Sequence, residues 1–499
     1  MKKIESALLL YPHQLFATEH LPKVDIIYVI EDPLFFGTDQ QYPVAFHKQK
    51  LVLHRASMRR YTEEQLWAHE IDVEYIELAD VVSSGEVLSH AQKAGASLVY
   101  MFDPSDSRLE KRLQDALSTN IVSPFELRVL PTPMFMLRRG EVEDFFTNKS
   151  NHSFAPFYQW QRERFNILLD KKYKPVGGMW MLDENSTKSD TTQPAPGFAS
   201  FGDNNYVKEA ISWVQKRFAD NPGSLESFVW PTNHQEATLW LQDFLTHRLE
   251  HYAQFEHALD SDAMVLYHSG ASALINTGLL TPTQIVQAAT AQQQKAPVPL
   301  PSLEHFLRYV IGWREYVRGL YVTQGDELRA RNTFEHTNTL SSAWWDGSTG
   351  LPPLDDVIQK ALNHAYTYGS ERTHILASSM LLCDISPNEA YQWNMSMFID
   401  AYDWVVVPNV YGIGQCDDCG GMVPETCLMT SNGLISNSNY QKEDWCDTWD
   451  GLLWRFVANN QDALSQNSRI ASLVKTYKRL NEDRKRIISY RAQDFLNSL

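Results

Sequence analysis

Residues 24–30, VDIIYVI, followed directly by EDP at residues 31–33, decide how the first part of the chain folds. A nearly continuous apolar run of this length, rich in β-branched residues, is typical of a strand buried on both faces of a parallel sheet. Similar runs follow at residues 73–78 and 97–102, with helical patterns between the runs. This alternation predicts an α/β domain of Rossmann type, with ligands expected beyond the carboxyl ends of the strands.

The rest of the chain has a different pattern. The polar stretch NSTKSDTTQPAP at residues 185–196 indicates a surface linker. We predict an α/β domain over residues 1–140, an interdomain linker over 141–204 and an all-α domain over 205–499. In the last of these, apolar residues recur at the three-to-four spacing of helices, most clearly at residues 234–259, 281–294, 302–321, 353–368, 372–383, 389–404 and 469–499.

The composition constrains both location and partners. The chain has 499 residues and a formal net charge of −17, whereas a protein that binds nucleic-acid phosphates normally carries a basic excess. Any nucleic-acid site must therefore be a local basic patch on an acidic body. The N-terminal apolar run is too short for a signal peptide, and no run of about 18 apolar residues could span a membrane. With an odd count of five cysteines, these features predict a cytoplasmic protein without a membrane partner.

Several common catalytic and nucleotide-binding motifs are absent. The sequence contains no G-x-x-x-x-G-K-[ST], no G-x-G-x-x-G, no H-E-x-x-H and no G-x-S-x-G. It therefore gives no support to an NTPase, a dinucleotide-fingerprint enzyme, a zincin or an α/β-hydrolase.

Several segments, in one order along nearly the whole chain, carry a resemblance to a known family. They are HKQKL and HRASMR within residues 47–59, FYQW, ILLD and GGMW within 157–180, LYHSGASALINTGLL at 266–280, PSLE and IGWREYVRG within 301–319, and DAYDW and VPNVYG within 400–412. In these segments the chain resembles the iron–sulfur bacterial cryptochromes, also called prokaryotic (6-4) photolyases, of the cryptochrome/photolyase superfamily. The resemblance implies a C-terminal helical domain that holds FAD in a folded conformation.

The resemblance also implies which residues contact FAD. Ser269, Ser272 and Arg314 would lie near its phosphates, where an arginine fork can donate two parallel hydrogen bonds. The alternatives are helix capping by the two serines and a structural ion pair between Arg314 and a neighbouring glutamate. His268 and Asn276 belong to the same flavin-contacting segment.

A second group of residues would lie around the isoalloxazine ring. Arg372 and Asp403, with Asp400 as the second choice, resemble the family's salt-bridged pair against this ring. Asn409 would face flavin N5. Two acidic residues of the following loop would lie near the ribityl chain or the adenine, with a solvated acidic turn as the alternative: Asp417 and Asp418.

Trp345 and Trp393 resemble two members of the family's electron-transfer chain. The third position, normally Tyr, is Asn394 here, and an amide is not readily oxidised. The alternative is that both tryptophans are plain core residues, the usual fate of Trp in helices. The relay interpretation predicts photoreduction of FAD through these two indoles.

The family's first domain binds an antenna chromophore, a ribolumazine. The strand-end loop that contains Glu31 and Asp32 and the segment PTPMF at residues 131–135 are the candidate walls of such a site. Ordinary loop packing is the alternative for both segments.

The chain departs from the family at the ligands of a [4Fe–4S] cluster, which cysteines bind. Pro353 and Trp449 stand in two of the ligand positions, Cys446 is retained, and the last ligand segment is missing. We therefore expect no cluster at that place. A relocated metal site would use the four thiols after residue 415, with free thiols or a redox-active pair as alternatives: Cys416, Cys419, Cys427 and Cys446.

The repair pocket departs from the family as well. Tyr368 and Gly369 stand where the family has paired histidines, one of which donates a proton to the (6-4) lesion. His364, one helical turn earlier, is a partial substitute at best, and Val406 stands where the family often has Glu. The chain thus keeps the flavin scaffold and loses the repair acid.

Three functions remain open at this point. The first is a cryptochrome-like, blue-light-responsive flavoprotein that signals to a protein partner, and the missing histidines, the missing cluster and the acidic charge favour it. The second is a DNA photolyase, a carbon–carbon lyase, that acts on UV-damaged DNA; splitting a pyrimidine dimer needs no histidine acid. The third is a degenerate interaction protein that no longer binds flavin.

Overall fold

The N-terminal part of the chain forms one parallel sheet. The computed structural model describes residues 4–118, 126–147, 153–182, 196–415, 427–466 and 470–499. The strands are β1 (Ser6–Leu10), β2 (Ile26–Ile30), β3 (Val73–Ile76), β4 (Leu98–Phe102) and β5 (Glu126–Leu130). They lie in the order β3-β2-β1-β4-β5, and every neighbouring pair is parallel. This order confirms the predicted Rossmann-type α/β sheet.

The sequence pattern does not indicate strands β1 and β5. β1 is the central strand, and its residues 7–10 are fully buried although they lie at the very start of the chain. β5 is an edge strand, and Glu126, Arg128 and Val129 on it are exposed. An exposed edge strand lacks the continuous apolar run that identifies a buried parallel strand, which explains why β5 is missed.

The remaining elements are helices and helical turns. Those of the first part are α1 (Pro33–Phe36), α2 (Lys48–Tyr61), α3 (Glu86–Lys93), α4 (Ser107–Ser118), α5 (Arg139–Thr147) and α6 (Phe154–Phe165). Those that follow are α7 (Asn205–Arg217), α8 (His234–His247), α9 (Tyr252–Phe255), α10 (Ser272–Asn276), α11 (Pro282–Lys295), α12 (Leu300–Leu307), α13 (Arg314–Arg329), α14 (Ala343–Asp346), α15 (Pro352–His364), α16 (Gly369–Glu371), α17 (Ser378–Leu382), α18 (Pro387–Met397), α19 (Asp403–Val407), α20 (Ser431–Ser436), α21 (Trp445–Asn459), α22 (Gln461–Gln466), α23 (Ala471–Arg479) and α24 (Glu482–Ser498). This helical second part confirms the predicted all-α region. Within the described residues, no helix combines the length and the apolarity that a bilayer span requires.

Residues 141–204, predicted as a linker, contain helical structure. Helix α6 buries Phe157, whose ring centroid lies 5.6 Å from that of Tyr316 on α13. The polar stretch that predicts the linker, residues 185–196, lies outside the described residues except for Pro196. The segment before that stretch is therefore packed against the helical part of the molecule.

Buried charges join the sheet to the helices that follow it. Arg55 of α2 lies 2.9 Å from a carboxylate oxygen of Glu209 on α7, and its guanidinium lies 4.4 Å from the ring centroid of Trp213. Arg318 of α13 donates to Asp103, just after β4, at 2.8 Å. The carboxyl edge of the sheet therefore faces α13.

Two predicted helices stop earlier than their patterns suggest. Helix α15 ends at His364, where Ala365 adopts a left-handed backbone with φ of 54°. Residues 398–402, between α18 and α19, are not helical. The N–H of Ile399 donates to the carbonyl of Ala365 at 2.8 Å, so the two breaks meet in space.

Candidate functional site

Five of the predicted flavin-contacting residues form one continuous hydrogen-bonded group, here called the Asp400 network. Oδ1 of Asp400 accepts from Arg372 Nη1 at 2.9 Å, and Oδ2 accepts from Ser272 Oγ at 2.5 Å. Asn276 Nδ2 donates to the Asp400 carbonyl at 2.7 Å. Asn276 Oδ1 in turn accepts from Arg314 Nη1 at 2.6 Å. Arg372 and Ser272 therefore bind the Asp400 carboxylate directly, and Asn276 links the Asp400 backbone to Arg314 of α13.

The predicted pairing of Arg372 with Asp403 is wrong, and the second choice, Asp400, is the partner. Asp403 opens α19 and accepts from Tyr321 at 2.6 Å and from Tyr391 at 2.5 Å, and it is also ion-paired with Arg329. The two carboxylates are separated because Asp400 lies in the non-helical stretch before α19. Sequence spacing alone does not distinguish them.

Three π-helical turns coincide with predicted site residues. One covers Arg308–Trp313 and leads directly into Arg314, a second begins at Arg372, and a third, Pro408–Gly412, contains Asn409. Wide turns of this kind inside helices are found frequently at functional sites. Each of the three turns contains or adjoins a predicted flavin contact, and the turns belong to separate helical segments. Their positions therefore support the region of these contacts as the binding site.

Two arginine donors of the network, Arg314 Nη2 and Arg372 Nη2, are buried with no hydrogen-bond partner among the described residues, and so is the indole N–H of Trp404 beside Arg314. The ring nitrogen His268 Nε2 is also buried without a partner in this part of the chain. Buried N–H groups are seldom left unsatisfied, because each one costs free energy when it is removed from water. The donors on the two arginines suit a ligand with phosphate or carbonyl oxygens.

Arg314 lies in an aromatic clamp and has no ion-pair partner within the part of the chain that the structure describes. Its guanidinium lies 4.8 Å from the ring centroid of Phe135 and 4.7 Å from that of Trp404. Burial lowers the pKa of Arg314 to about 9. The neighbouring Glu315 accepts instead from the backbone N–H of Met136. The alternative of a structural ion pair with a neighbouring glutamate is therefore not found at this arginine.

The other predicted flavin contacts lie outside the network's hydrogen bonds. Ser269 Oγ accepts from the N–H of Ala271 at 3.3 Å, a local turn contact and not the helix cap named as its alternative, since α10 has no side-chain cap. Asn409 donates to the carbonyl of Val405 on its own helix at 2.7 Å. Asp417 and Asp418 lie outside the described residues.

The two predicted relay tryptophans are neighbours. The ring centroids of Trp345 and Trp393 lie 6.5 Å apart. Trp393 is fully buried and donates its indole N–H to the carbonyl of Trp344 at 2.8 Å, whereas Trp345 is partly exposed. The Trp393 ring then contacts Phe398 at 5.6 Å, and the guanidinium of Arg372 lies 3.9 Å from the Phe398 ring centroid. Aromatic contacts therefore run from the protein surface to the Asp400 network.

Tyr368 is turned into the protein interior. Its hydroxyl accepts from the N–H of Asp260 at 2.7 Å, and its ring stacks on His268 at 4.8 Å. Burial raises the pKa of Tyr368 well above its ordinary value. His364 is partly buried, and burial lowers its pKa. The Tyr368 hydroxyl therefore holds its proton too tightly, and His364 is uncharged near neutral pH. Neither side chain is a ready proton donor.

Sequence reasoning missed a buried ion pair beside Tyr368. Glu371 is ion-paired with Lys360 of α15, and both side chains are buried. Burial raises the pKa of Glu371 to about 7. The one sequence signal is a lysine within the apolar stripe of α15, since Lys360 follows the buried Val357 and Ile358.

The first predicted antenna residues have internal partners. Glu31 accepts from Arg55 and from the Tyr75 hydroxyl, each at 2.7 Å. Asp32 caps α1 and accepts from Ser84 Oγ at 2.9 Å, and burial raises its pKa to about 6. Both carboxylates therefore take part in the loop packing that was the alternative interpretation.

A cavity nevertheless lies beside this loop. Its volume is only about 20 Å³, room for about one water molecule, between the sheet domain and the helices. Leu34 and Phe35 line it from the loop after β2, and Lys50, Tyr402 and other side chains complete its wall. The second predicted wall, residues 131–135, does not line this cavity and instead places Phe135 against Arg314.

Replacing Lys50 by Met is expected to stabilise the protein at neutral and acidic pH. Lys50 is 1% exposed, and burial lowers the pKa of its ammonium from 10.5 to about 7. Between these two values the unfolded chain holds a proton that the folded chain has released, so wild-type stability rises with pH across that window. Below this pH window the folded protein keeps a buried, charged ammonium, which lowers its stability by on the order of a few kcal/mol.

Urea unfolding of Lys50→Met and wild type at about pH 6 and about pH 9 measures this difference. The gap should be largest at the lower pH and should shrink at the higher pH. A gap that does not change with pH would show that the ammonium is not the source of the effect.

The positions of the family's cluster ligands are occupied by packed side chains. Trp449 is fully buried and donates to the carbonyl of Met429 at 2.8 Å, and Pro353 is buried near the start of α15. Cys446 is buried and free, while Cys427 is buried and disulfide-bonded. Across the described ranges no group of three or more His, Cys, Asp or Glu side chains could hold a metal ion. Two other thiols lie outside those ranges: Cys416 and Cys419.

Comparisons with known proteins agree on one family. Residues 8–230 match the family model described as deoxyribodipyrimidine photo-lyase-related protein. A (6-4) photolyase of Agrobacterium fabrum is 28% identical over 476 residues, which cover 91% of this chain and 92% of that protein. A bacterial class III photolyase from Agrobacterium tumefaciens has the same fold, with a TM-score of 0.57 at 15% identity over 100% of this chain and 98% of that one. A cryptochrome from Synechocystis sp. PCC6803 aligns with a TM-score of 0.55 at 13% identity over 98% of this chain and 95% of its own.

Proposed function

The chain belongs to the deoxyribodipyrimidine photo-lyase-related proteins of the cryptochrome/photolyase superfamily, and from this premise we propose that it is an FAD-binding, blue-light-responsive flavoprotein of cryptochrome type. The single observation that carries the proposal is the Asp400 network, in which five predicted flavin contacts meet and two arginine donors have no partner among the described residues. A bound cofactor would satisfy these two buried donors, which otherwise cost free energy.

The residues of the network fit the parts of FAD. Arg314, clamped between two aromatic rings and with Nη2 free, would bind the diphosphate. Arg372, held by Asp400 through Nη1, keeps Nη2 available for the isoalloxazine edge. Ser272 and Asn276 fix the position of Asp400 and thereby of both arginines. When bound, FAD would supply blue-light absorption and one-electron redox chemistry.

The two tryptophans would deliver electrons inward. Trp393 would be the inner donor, held in place by its hydrogen bond to the carbonyl of Trp344. Trp345, partly exposed and 6.5 Å from it, would replace the lost electron from the solvent side. Asn394, which stands at the family's third position, donates to the carbonyl of Ala390 and takes no part in this path.

A signalling role is favoured over (6-4) repair because the proton donor is missing. Tyr368 has its hydroxyl bound to Asp260, and its raised pKa keeps it a poor acid. Gly369 has no side chain. We infer that light changes the redox state of the bound flavin and that a protein partner senses this change. Protonation of a DNA lesion is not part of this function.

DNA repair of another lesion is the second candidate function. It is favoured by the similarity to a (6-4) photolyase over 91% of the chain. A photolyase that splits a pyrimidine dimer by electron transfer needs no acid at position 368. The cavity beside Leu34 and Phe35 is too small to hold a ribolumazine antenna in either case.

A [4Fe–4S] cluster does not fit the place where the family binds it. Cys446 alone remains there, and Trp449 fills the position of a second ligand with a buried indole. One thiolate cannot hold a cluster that requires four ligands. No step of the proposed function uses iron.

Blue-light illumination of the purified protein under anaerobic conditions tests the proposed function. We expect the purified protein to show the absorption bands of oxidised flavin. These bands should decrease under blue light when an external thiol is present and should return when air is admitted. A flavin that stays oxidised under light would contradict the proposal. Incubation with a UV-irradiated oligonucleotide in the same light separates the two candidate functions, because only a photolyase restores the undamaged product.

A further inference from the structure

The segment of residues 168–180, here called the lysine hairpin, is an exposed basic element on an acidic protein. It contains Lys171, Lys172 and Lys174 and one acid, Asp170, on a chain with a net charge of −17. All three lysines are exposed. The Asp170 carboxylate is already used, since its Oδ1 accepts the backbone N–H of Lys172 at 2.7 Å and that of Lys174 at 2.9 Å. The hairpin thus presents a concentrated positive charge.

The tip of the hairpin also presents an aromatic ring to solvent. Tyr173 is 71% exposed, and Met179 is 52% exposed. A large apolar side chain at the tip of a loop, flanked by lysines, has no packing role to explain it. Base rings of nucleic acids stack on such rings, and adjacent lysines neutralise the phosphates on either side.

The hairpin is held rigidly in a conformation that its residues do not prefer. Tyr173 has φ of 58° and Leu168 has φ of 52°, a left-handed backbone that bulky side chains rarely adopt. Arg162, fully buried, fixes the base of the hairpin by donating to the carbonyls of Leu168 at 2.6 Å and of Trp180 at 2.5 Å. Unfavourable backbone angles that the surrounding structure maintains are found mostly at functional sites.

Hydrogen bonds anchor the chain just beyond the hairpin to the helical part of the molecule. The N–H of Leu182 donates to Glu304 on α12 at 3.0 Å, and the carbonyl of Leu182 is 2.6 Å from Nε2 of His305. His305 is ion-paired with Glu256, whose carbonyl accepts from Ser370 Oγ at 2.6 Å. The base of the hairpin is therefore fixed on both sides, by Arg162 before it and by Leu182 after it.

We propose that the lysine hairpin binds a single strand of DNA, with the three lysines on its phosphates and Tyr173 stacked on one unpaired base. The choice of DNA as the partner rests on the second candidate function, DNA repair. The lysine hairpin is the surface that DNA repair would need for binding. The acidic body disfavours DNA over most of the surface, and a second exposed basic stretch, on α23, serves as the control in the experiment below.

Fluorescence anisotropy of a labelled single-stranded thymidine oligonucleotide, in the dark and over a range of salt, tests the proposal. Charge reversal at Lys171, Lys172 and Lys174 together should reduce the slope of log K against log salt by about 2, because each phosphate contact on a single strand contributes about 0.7. Tyr173→Ala should weaken binding by about 5- to 100-fold and leave the slope unchanged. Circular dichroism and thermal unfolding should match wild type for both variants.

Charge reversal at Lys475 and Lys478, which are exposed on α23, is the matched control. It should leave both affinity and slope close to wild type. The proposal is overturned if the control lowers the slope as much as the hairpin variant does, if neither hairpin variant changes binding, or if the hairpin variants lose binding to anionic lipid vesicles but not to DNA. The assay needs neither light nor flavin, so its outcome is independent of the photochemical proposal.

Discussion

Replacing Arg372 by Ala should give a purified protein that retains little or no flavin. Arg372 is the ion-pair partner of Asp400 and carries one of the free donors of the site. Its loss leaves the Asp400 carboxylate buried with Ser272 as its remaining side-chain partner. Breaking a buried ion pair by removing one member costs about 3–5 kcal/mol, and we expect about 3 kcal/mol because the Arg372 side chain is 26% exposed. Flavin content after gel filtration and urea unfolding measure the two effects.

Arg329→Ala is the matched control for this variant. Arg329 forms a comparable ion pair with Asp403, which lies three residues after Asp400 and outside the Asp400 network. The Arg329→Ala variant should lose a similar amount of stability and still retain flavin. If both variants kept their flavin, Arg372 would be a structural residue and not a cofactor contact.

Replacing Trp393 by Phe should abolish most of the light-driven reduction while leaving flavin binding intact. Phenylalanine keeps an aromatic ring against Phe398 but is much harder to oxidise than an indole. The variant also loses the hydrogen bond to the Trp344 carbonyl, which costs about 1 kcal/mol. Initial bleaching rates under blue light, at equal flavin content, measure the effect. Trp345→Phe should slow reduction less, because Trp393 remains to supply the first electron.

Trp449→Phe serves as the control for the tryptophan series. Trp449 is equally buried and donates to the carbonyl of Met429, but it belongs to α21 and not to the relay. Its replacement should reduce stability without changing the bleaching rate. Equal photoreduction in wild type and Trp393→Phe would remove this indole from the electron path.

The strands could be predicted from the sequence where an apolar run coincides with a strand that is buried in the sheet. β2 and β4 are buried in the sheet and are readable as apolar runs. β5 is an exposed edge strand, and the short apolar run of β1 contains no β-branched residue, so its pattern does not distinguish a strand from a helix. The long helical patterns are correct in kind, but their ends depend on tertiary contacts such as the hydrogen bond from Ile399 to Ala365.

The site could be predicted as a set of residues but not as a set of contacts. The resemblance identifies Arg372 and two aspartates, yet the choice between Asp400 and Asp403 depends on where α19 begins. No pattern in the sequence relates Lys360 to Glu371, because the left-handed residue Ala365 turns the chain between them. Such pairings arise from the path of the backbone and can be read only in three dimensions.

Titration of flavin-free protein with FAD and with riboflavin tests the central claim most directly. The account predicts one FAD bound per chain and riboflavin binding weaker by about 10- to 100-fold, because riboflavin lacks the phosphates for Arg314 and a hydrogen bond to a charged group contributes about 1.5–3 kcal/mol. Equal affinity for the two ligands, or no uptake of FAD at all, would contradict it.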